Sequence, residues 1–158
     1  NRAYAMKLFG AQAVESGVQS VVQELQAGMI DGVIVMNGIP DLTLPADLVD
    51  AAKKTQFLAV SDILQSPLAE AAHVLLPGTA WAEKDGTFMN VDGRVQRLRK
   101  AVEPPVTARP EAQWLQEVLV ALGARPAVTS IETVFREAMP GYDYGKIGNQ
   151  GVKTNGTA

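Results

Sequence analysis

The stretch from Glu83 to Gln96 constrains the fold of this chain more than any other feature. It reads EKDGTFMNVDGRVQ, so one Asp-Gly pair stands at residues 85–86 and a second at residues 92–93. Glycine adopts positive φ without a steric cost, and the Thr, Phe and Met between the two pairs favour extended backbone. Two turn signals around a short strand-forming run predict a β-hairpin.

Upstream of the hairpin, apolar segments with helical spacing alternate with short apolar runs that favour strands. Helices are predicted at about residues 16–27, 45–54 and 66–72, and strands at residues 33–36, 57–60 and 73–76. This α-β-α-β-α-β order predicts an α/β fold with a mostly parallel sheet. The first strand has no polar alternation, which predicts that it is covered on both faces.

Downstream of the hairpin, apolar residues at helical spacing predict a helix over residues 110–122 with a core-facing side that includes Trp114. A second helix is predicted at about residues 130–139. The composition then becomes polar, which predicts disorder in the last dozen residues. A chain of 158 residues supports one ordinary core. We therefore predict a single α/β domain over residues 1–139 and a polar tail over residues 140–158, and we expect both to be a fragment of a longer chain.

Composition excludes several classes of function. The net charge is -3, so no general basic field attracts nucleic acid. No apolar run reaches the roughly 20 residues of a membrane span, which argues against direct membrane insertion. Cysteine is absent and His73 is the one histidine, so disulfides, iron-sulfur ligation and a Cys/His zinc site are not expected in this segment. His73 itself is predicted to be a hydrogen-bonded histidine, either in the core or at a strand end.

The loops after the predicted strands are the places to look for a ligand, because ligands gather at the carboxyl ends of parallel strands. Asn37-Gly38 follows the first strand and is either a phosphate- or nucleotide-approaching loop or an ordinary turn. Asp62 follows the second strand and either accepts hydrogen bonds from a ribose or guanine or forms a turn. Residue chemistry alone leaves both alternatives open.

Two charged groups near the hairpin also have alternative roles. Glu83 and Asp85 are a close carboxylate pair that suits either acid-base chemistry or a solvated turn. A basic cluster consists of Arg94, Arg97, Arg99 and Lys100. It predicts either a phosphate clamp, an interdomain salt bridge, or protection of an edge strand against aggregation, with the last two favoured.

Residues 83–96 fit the pattern EKDGTFxNxDGRxQ, and the segment AHVLLP precedes them at residues 72–77. Together they resemble the molybdopterin oxidoreductase superfamily, and within it the large iron-sulfur subunit of NADH-quinone oxidoreductase, respiratory complex I. The similarity extends to the loop at residues 37–40, to Asp62 and to residues 140–142. It implies a three-layer Rossmann-like domain of the formate dehydrogenase and DMSO reductase kind, with a β-hairpin and C-terminal helices.

In the molybdoenzymes of this superfamily, the matching domain helps to hold the guanine dinucleotide of a molybdopterin cofactor. The resemblance therefore implies cofactor contacts, either working or vestigial, from a set of polar and glycine residues. These are Asn37, Gly38, Asp62, Glu83, Gly86, Thr87, Asn90, Gly93 and Arg94. It implies no catalytic residue and no metal ligand in this segment.

Three functions are compatible with the sequence. In the first, the segment is a structural and interaction domain in the large iron-sulfur subunit of complex I and supports electron transfer from NADH to quinone. Iron-sulfur clusters would then lie elsewhere in the parent. The partners would be the rest of that subunit and other hydrophilic-arm subunits, at the cytoplasmic face of the cell membrane.

In the second, the segment is the molybdopterin guanine dinucleotide-binding domain of a formate dehydrogenase-like enzyme. Asp92, where the family often has glutamate, and Gln65-Ser66-Pro67, in place of a threonine-rich turn, favour the complex I alternative. A stand-alone nucleotide-binding module is the third possibility.

Overall fold

A computed structural model describes residues 17–39, 43–125 and 130–154 of the chain. These residues form two compact units. The first, here called the parallel unit, consists of residues 17–80 and 104–114. The second, the hairpin unit, consists of residues 81–103 and the described residues from 115 onward. Each unit has buried apolar clusters of its own.

The parallel unit alternates helices and strands. Its elements are α1 (Val18–Gln26), β1 (Gly32–Met36), α2 (Ala46–Ala52), β2 (Phe57–Asp62), α3 (Pro67–Ala71) and β3 (Val74–Pro77). The three strands are parallel and lie in the order β1-β2-β3. The predicted α/β fold and its parallel pairing are therefore confirmed.

Local sequence signals explain where the helices begin and end. Gly28 adopts φ +69° directly after α1, and its amide donates to the Leu25 carbonyl while Met29 N donates to Glu24 O. This is the pattern of a Schellman motif, which glycine favours because it has no Cβ. At the start of α3, the Ser66 side chain accepts a hydrogen bond from Ala69 N.

The apolar cluster around Leu58 packs on one face of the parallel sheet, while Ala59 and Ser61 of β2 are buried on the other face. Val33 and Val35 of β1 pack against a buried cluster that includes Leu58 of β2 and residues of α2 and α3. Ile34 and Met36 are 52% and 56% exposed, because alternate residues of a strand point to opposite faces. The prediction that β1 is covered on both faces is wrong within the described residues.

The hairpin unit contains an antiparallel sheet. Its strands are β4 (Gly86–Met89), β5 (Arg94–Leu98) and β6 (Val152–Lys153), in the order β4-β5-β6. The predicted hairpin is confirmed. Only the second Asp-Gly corner uses positive φ, with Gly93 at +72°, whereas Gly86 is the first residue of β4.

Two helices follow the hairpin, α4 (Glu111–Ala121) and α5 (Ile131–Ala138). Trp114 of α4 is buried, but Val118 and Leu119 are each 44% exposed and Leu122 is 78% exposed. The predicted core face of this helix is thus wrong beyond its first turn. Helical spacing shows which residues share a face, and it does not show whether another element covers that face.

The segment after α5 is structured through residue 154. A 3-10 turn at Tyr144–Lys146 is followed by β6, and Ile147 is only 1% exposed. The prediction of disorder in the last dozen residues is wrong for residues 147–154, since they pair with β5 and bury an apolar side chain. Residues 155–158, and the predicted loop proline at position 40, lie outside the described residues.

Within the described ranges, no helix is both long enough and apolar enough to cross a membrane.

Candidate functional site

The carboxyl ends of the three parallel strands bring the strand-end loops side by side. Asn37 N donates to Ser61 O at 2.8 Å, which extends the pairing of β1 and β2 by one residue. Gly78 N donates to Asp62 O at 2.9 Å and does the same for β2 and β3. The loops that begin at Asn37, Asp62 and Gly78 are therefore neighbours in space, as the parallel order predicts.

Asp62 is the centre of a hydrogen-bond network at this edge. It is 7% exposed, and its Oδ1 accepts hydrogen bonds from Ile63 N at 2.8 Å and from Leu64 N at 3.5 Å. Its Oδ2 accepts from Asn37 Nδ2 at 3.2 Å and from Ser66 Oγ at 2.8 Å. Two backbone amides and two side chains thus compensate for the burial of this carboxylate.

The contact with Asp62 fixes the orientation of the Asn37 side chain. The hydrogen bond runs from Asn37 Nδ2 to Asp62 Oδ2, so the Asn37 amide presents its nitrogen to this carboxyl group. Its Oδ1 is then buried and has no hydrogen-bond partner among the described residues. Since an unpaired buried polar atom is costly, this oxygen is an acceptor suited to a ligand donor.

Two clefts flank the loop between Asp62 and Ser66, and Gln65 lines both of them. The larger cleft has a volume of about 360 Å³ and the smaller one about 210 Å³. The larger cleft is lined by Asp62, Gln65, Glu70, Leu75 and Pro77, among others. The smaller is lined by Asn37, Leu44, Gln65, Ser66 and Leu68, among others. Ligand pockets usually measure about 300–1,000 Å³, so these clefts suit part of a ligand.

The charge of the clefts limits what they can bind. Their charged lining residues are Asp62 and Glu70, and no described lysine or arginine lines either cleft. Carboxylates repel phosphate groups and accept hydrogen bonds from N–H and O–H donors. The clefts are therefore suited to a base or a sugar rather than to a pyrophosphate.

Sequence reasoning missed several residues of this edge. Gln65 and Ser66 enter the sequence analysis only as part of the turn before a predicted helix, and Glu70 belongs to no motif. Glu111 comes from α4, and its Oε1 lies 3.7 Å and 3.4 Å from the positions that a Cβ would occupy on Gly38 and Gly78. No sequence signal linked Glu111 to loops more than 30 residues away.

On the strand-end segments beside Gly78, Ser61 Oγ and Thr79 Oγ1 are buried and lack hydrogen-bond partners among the described residues. Ser61 is 1% exposed and Thr79 is not exposed. A Cβ on Gly78 would come within 3.0 Å of Ser61 Oγ, so glycine allows the close approach of the two loops.

The remaining predicted site residues all belong to the hairpin unit. Glu83 lies in a 3-10 turn, and Gly86 and Thr87 begin β4. The structure brings Asn90, Gly93 and Arg94 together in the turn between β4 and β5. Asn90 Oδ1 there accepts hydrogen bonds from Asp92 N at 3.0 Å and from Arg94 N at 2.8 Å.

The basic cluster lies only partly on a sheet edge. β5 pairs with β4 on one side, and on the other side its first two residues, Arg94 and Val95, pair with β6, so the edge-strand interpretation is wrong for Arg94. Arg94 and Arg99 donate to the segment at residues 149–151, and Lys100 forms an ion pair with Glu103. Val152 and Lys153 of β6 lie in the last dozen residues, whose polar composition predicts disorder, so the sequence does not predict this strand.

His73 behaves as a strand-end histidine, as predicted. Its Nδ1 accepts a hydrogen bond from Leu58 N at 2.9 Å, and its ring stacks on Phe57. Among the described residues, no group of three His, Cys, Asp or Glu side chains could hold a metal ion.

Comparisons with known proteins identify the family. Residues 4–120 match the family described as Molybdopterin oxidoreductase. The chain is 45% identical over 74 residues to the alpha subunit of a formate dehydrogenase from Methanococcus maripaludis, covering 47% of this chain and 11% of that protein. It is 35% identical over 127 residues to a nitrate reductase from Symbiobacterium thermophilum, covering 74% of this chain and 17% of that protein.

Among solved structures, acetylene hydratase from Pelobacter acetylenicus is similar with a TM-score of 0.53 and 16% sequence identity, over 90% of this chain and 20% of that one. At this identity the likeness concerns the fold alone. The chain spans less than a fifth of the length of the formate dehydrogenase and nitrate reductase relatives. The comparisons support the superfamily part of the predicted resemblance and give no support to its complex I part.

Proposed function

This chain belongs to the molybdopterin oxidoreductase family, and from that premise we propose that it forms a domain that holds the guanosine end of a molybdopterin guanine dinucleotide. The parent enzyme would be an oxidoreductase of the formate dehydrogenase or nitrate reductase type. The family match over residues 4–120 and the names of the relatives support this proposal.

The observation that carries the proposal is the buried, unpartnered Oδ1 of Asn37 beside the carboxylate of Asp62. The Watson–Crick edge of guanine offers adjacent N–H donors, which an acceptor-rich site can bind. Adenine presents a ring acceptor where guanine presents N1–H, so it fits this site less well. A site built to accept hydrogen bonds discriminates strongly against a ligand that lacks the donor.

Each residue has a distinct role in this proposal. Asn37 Oδ1 accepts from the base, while Asp62 holds the Asn37 amide in position through Nδ2. Gln65 and Glu70 contribute further polar groups to the larger cleft, and Gly38 allows backbone to approach the ligand. The bound cofactor would supply the redox chemistry of the parent enzyme, whereas these residues bind and orient its nucleotide end.

Calorimetric titration of GMP and AMP into the chain tests the site. GMP is expected to bind at least tenfold more tightly than AMP, which is about 1.4 kcal/mol. Asn37→Ala is expected to weaken GMP binding about tenfold, as expected for losing a hydrogen bond to a buried acceptor. Gln56→Ala changes an exposed residue at the opposite end of β2 and is the matched control. Equal binding of both nucleotides, or GMP binding unchanged in Asn37→Ala, would contradict the proposal.

A second candidate function is a cofactor-free scaffold in a complex I-like parent. One observation favours it: four donors within the chain already satisfy the Asp62 carboxylate, so this side chain needs no ligand as a hydrogen-bond partner. Metal and pterin analysis of the native protein that contains this sequence, purified anaerobically, separates the two functions. Molybdenum or tungsten with pterin supports the first, and iron without either metal or pterin supports the second.

A further inference from the structure

We propose that residues 144–154 form a built-in clasp that fixes the turn at residues 90–94, and that Arg94 is the residue that locks it. The C-terminal clasp, as residues 144–154 are called below, is a positioning device within the hairpin unit. It does not depend on the proposed function of the parallel unit. The inference assigns an internal role to three residues that the family resemblance implies as cofactor contacts.

Strand pairing joins the clasp to the hairpin. Val152 and Lys153 of β6 pair antiparallel with Val95 and Arg94 of β5. Beyond β6, Thr154 N and Thr154 Oγ1 both donate to the carbonyl of Gly93, at 3.0 and 2.9 Å. The carbonyl oxygen of the turn glycine thus uses both of its lone pairs within the chain.

Arginine side chains of β5 and its C-terminal end hold the clasp along its length. Arg94 Nη1 donates to Gln150 O at 2.9 Å and is 3.5 Å from Gly151 O. Arg99 Nη1 donates to Asn149 Oδ1 at 3.1 Å. The three recipients are consecutive residues, so the two guanidinium groups bind one continuous piece of chain through planar donors.

A third arginine and the apolar residues of the clasp complete the attachment. The Arg97 guanidinium carbon lies 4.2 Å from the centroid of the Tyr144 ring, within the range of a cation–π contact. Tyr144 and Ile147 are 2% and 1% exposed and belong to the buried cluster that contains Val95. The clasp is therefore anchored by buried apolar side chains at its start and by hydrogen bonds at its end.

Several polar groups of the turn are already engaged within the chain. Asn90 Oδ1 accepts from two backbone amides of the turn, Gly93 O accepts twice from Thr154, and the Arg94 guanidinium is bound to carbonyl groups of the clasp. A phosphate ligand that takes its hydrogen bond from Arg94 Nη1 would have to compete with these contacts. The geometry gives Asn90, Gly93 and Arg94 a positioning role.

Hydrogen exchange measured by mass spectrometry tests the clasp in the full 158-residue chain. Arg94→Met keeps most of the aliphatic stem and removes the donors. We expect exchange at residues 90–96 and 148–154 to accelerate at least tenfold, while residues 57–62 of β2 change less than twofold. Thr154→Val removes one of the two hydrogen bonds to Gly93 O and is expected to give a smaller acceleration at the same two segments.

The matched control is Arg125→Met, which removes the same group from an exposed position outside the clasp and should leave both segments within twofold of the original chain. If Arg94→Met does not fold, Thr154→Val alone decides the proposal. Exchange within twofold of the original chain in the variants that fold would overturn it. Loss of GMP binding by Arg94→Met with unchanged exchange would also overturn it, because Arg94 would then act on the ligand. Retained GMP binding with faster exchange supports the clasp.

Discussion

An asparagine follows directly after a β-strand in both units, and the two side chains make different kinds of hydrogen bond. In the hairpin unit, Asn90 Oδ1 accepts hydrogen bonds from amides two and four residues away. In the parallel unit, Asn37 Nδ2 donates to Asp62, 25 residues away in sequence, and its Oδ1 has no partner among the described residues. One asparagine completes its own turn, and the other is held in place by a different loop.

This difference separates a structural asparagine from a candidate binding residue. A side-chain oxygen that already accepts two hydrogen bonds from nearby backbone has little acceptor capacity left for a ligand. A side chain that is fixed through one atom and keeps another atom buried and unpaired is pre-organised to bind. The same residue type after a strand therefore indicates a turn in one unit and a ligand site in the other.

Among the variants considered for this comparison, Gly151→Ala is expected to destabilise the hairpin unit most. Gly151 has φ +69°, and a Cβ there would lie 2.5 Å from Val95 O and 2.9 Å from Gln96 Cγ. We expect the free energy of unfolding to fall by about 3 kcal/mol from strain and overpacking together. Urea denaturation followed by tryptophan fluorescence and circular dichroism measures it.

Gly148→Ala is the control for that variant, since no atom of the described residues lies within 4 Å of its Cβ position and its φ is ordinary. It is expected to change the free energy of unfolding by less than about 0.5 kcal/mol. Equal effects of the two alanines would mean that the close approach of Gly151 to β5 does not hold in solution.

Asp62→Asn tests the network of the parallel unit. The substituted amide turns one acceptor into a donor and faces donors that the carboxylate had satisfied, so we expect a loss of about 2 kcal/mol. Asp50→Asn, on the exposed side of α2, is the control and should cost less than about 0.5 kcal/mol. A thermal or urea midpoint for Asp62→Asn that equals the control's would show that the four hydrogen bonds contribute no net stability.

Asn90→Ala tests the difference between the two asparagines, because it should lower the free energy of unfolding without changing the affinity for GMP. Loss of the acceptor for two turn amides is expected to cost about 1–1.5 kcal/mol, while GMP affinity stays within twofold. Asn90→Asp keeps an acceptor oxygen and should recover most of the lost stability. A GMP affinity that falls in step with stability in Asn90→Ala would remove the distinction drawn between the two asparagines.

The smallest stability effect is expected for Asn37→Ala. It removes one hydrogen bond at 3.2 Å to a carboxylate, and it also removes the unpaired Oδ1. These two changes partly offset each other, so the free energy of unfolding should fall by less than about 1 kcal/mol. Chemical denaturation of Asn37→Ala and Asn90→Ala side by side measures the contrast. A larger loss in Asn37→Ala would indicate that Asn37 is mainly structural.

Much of the fold could be predicted because its signals are local. The limits of α1, the Ser66 cap of α3 and the β4–β5 hairpin all follow from residues within a few positions of one another. The candidate site was predicted only in part, at Asn37, Gly38 and Asp62. Their neighbours Gln65, Glu70 and Glu111 could not be predicted, because each reaches the site through packing rather than through a motif.

The same limit explains the errors. In the sequence, Arg94, Arg97 and Arg99 form a basic cluster without an evident partner, because the segment that they contact is distant in sequence. Residues 147–154 look disordered because their composition is polar, yet β6 needs only a short pairing with β5 and two buried anchors upstream. The pattern of apolar residues likewise does not show that Ile34 and Met36 face away from α2 and α3.

The sequence by itself determined the order of helices and strands, the turns at Gly28 and Gly93, and the family resemblance, since each depends on short-range conformational preference or on a contiguous motif. Only the tertiary structure decided that Asn37 meets Asp62, that Arg94 holds the C-terminal clasp, and which strand faces are buried. Those outcomes depend on which distant groups come within hydrogen-bonding and packing distance, and such contacts exist only after the chain has folded.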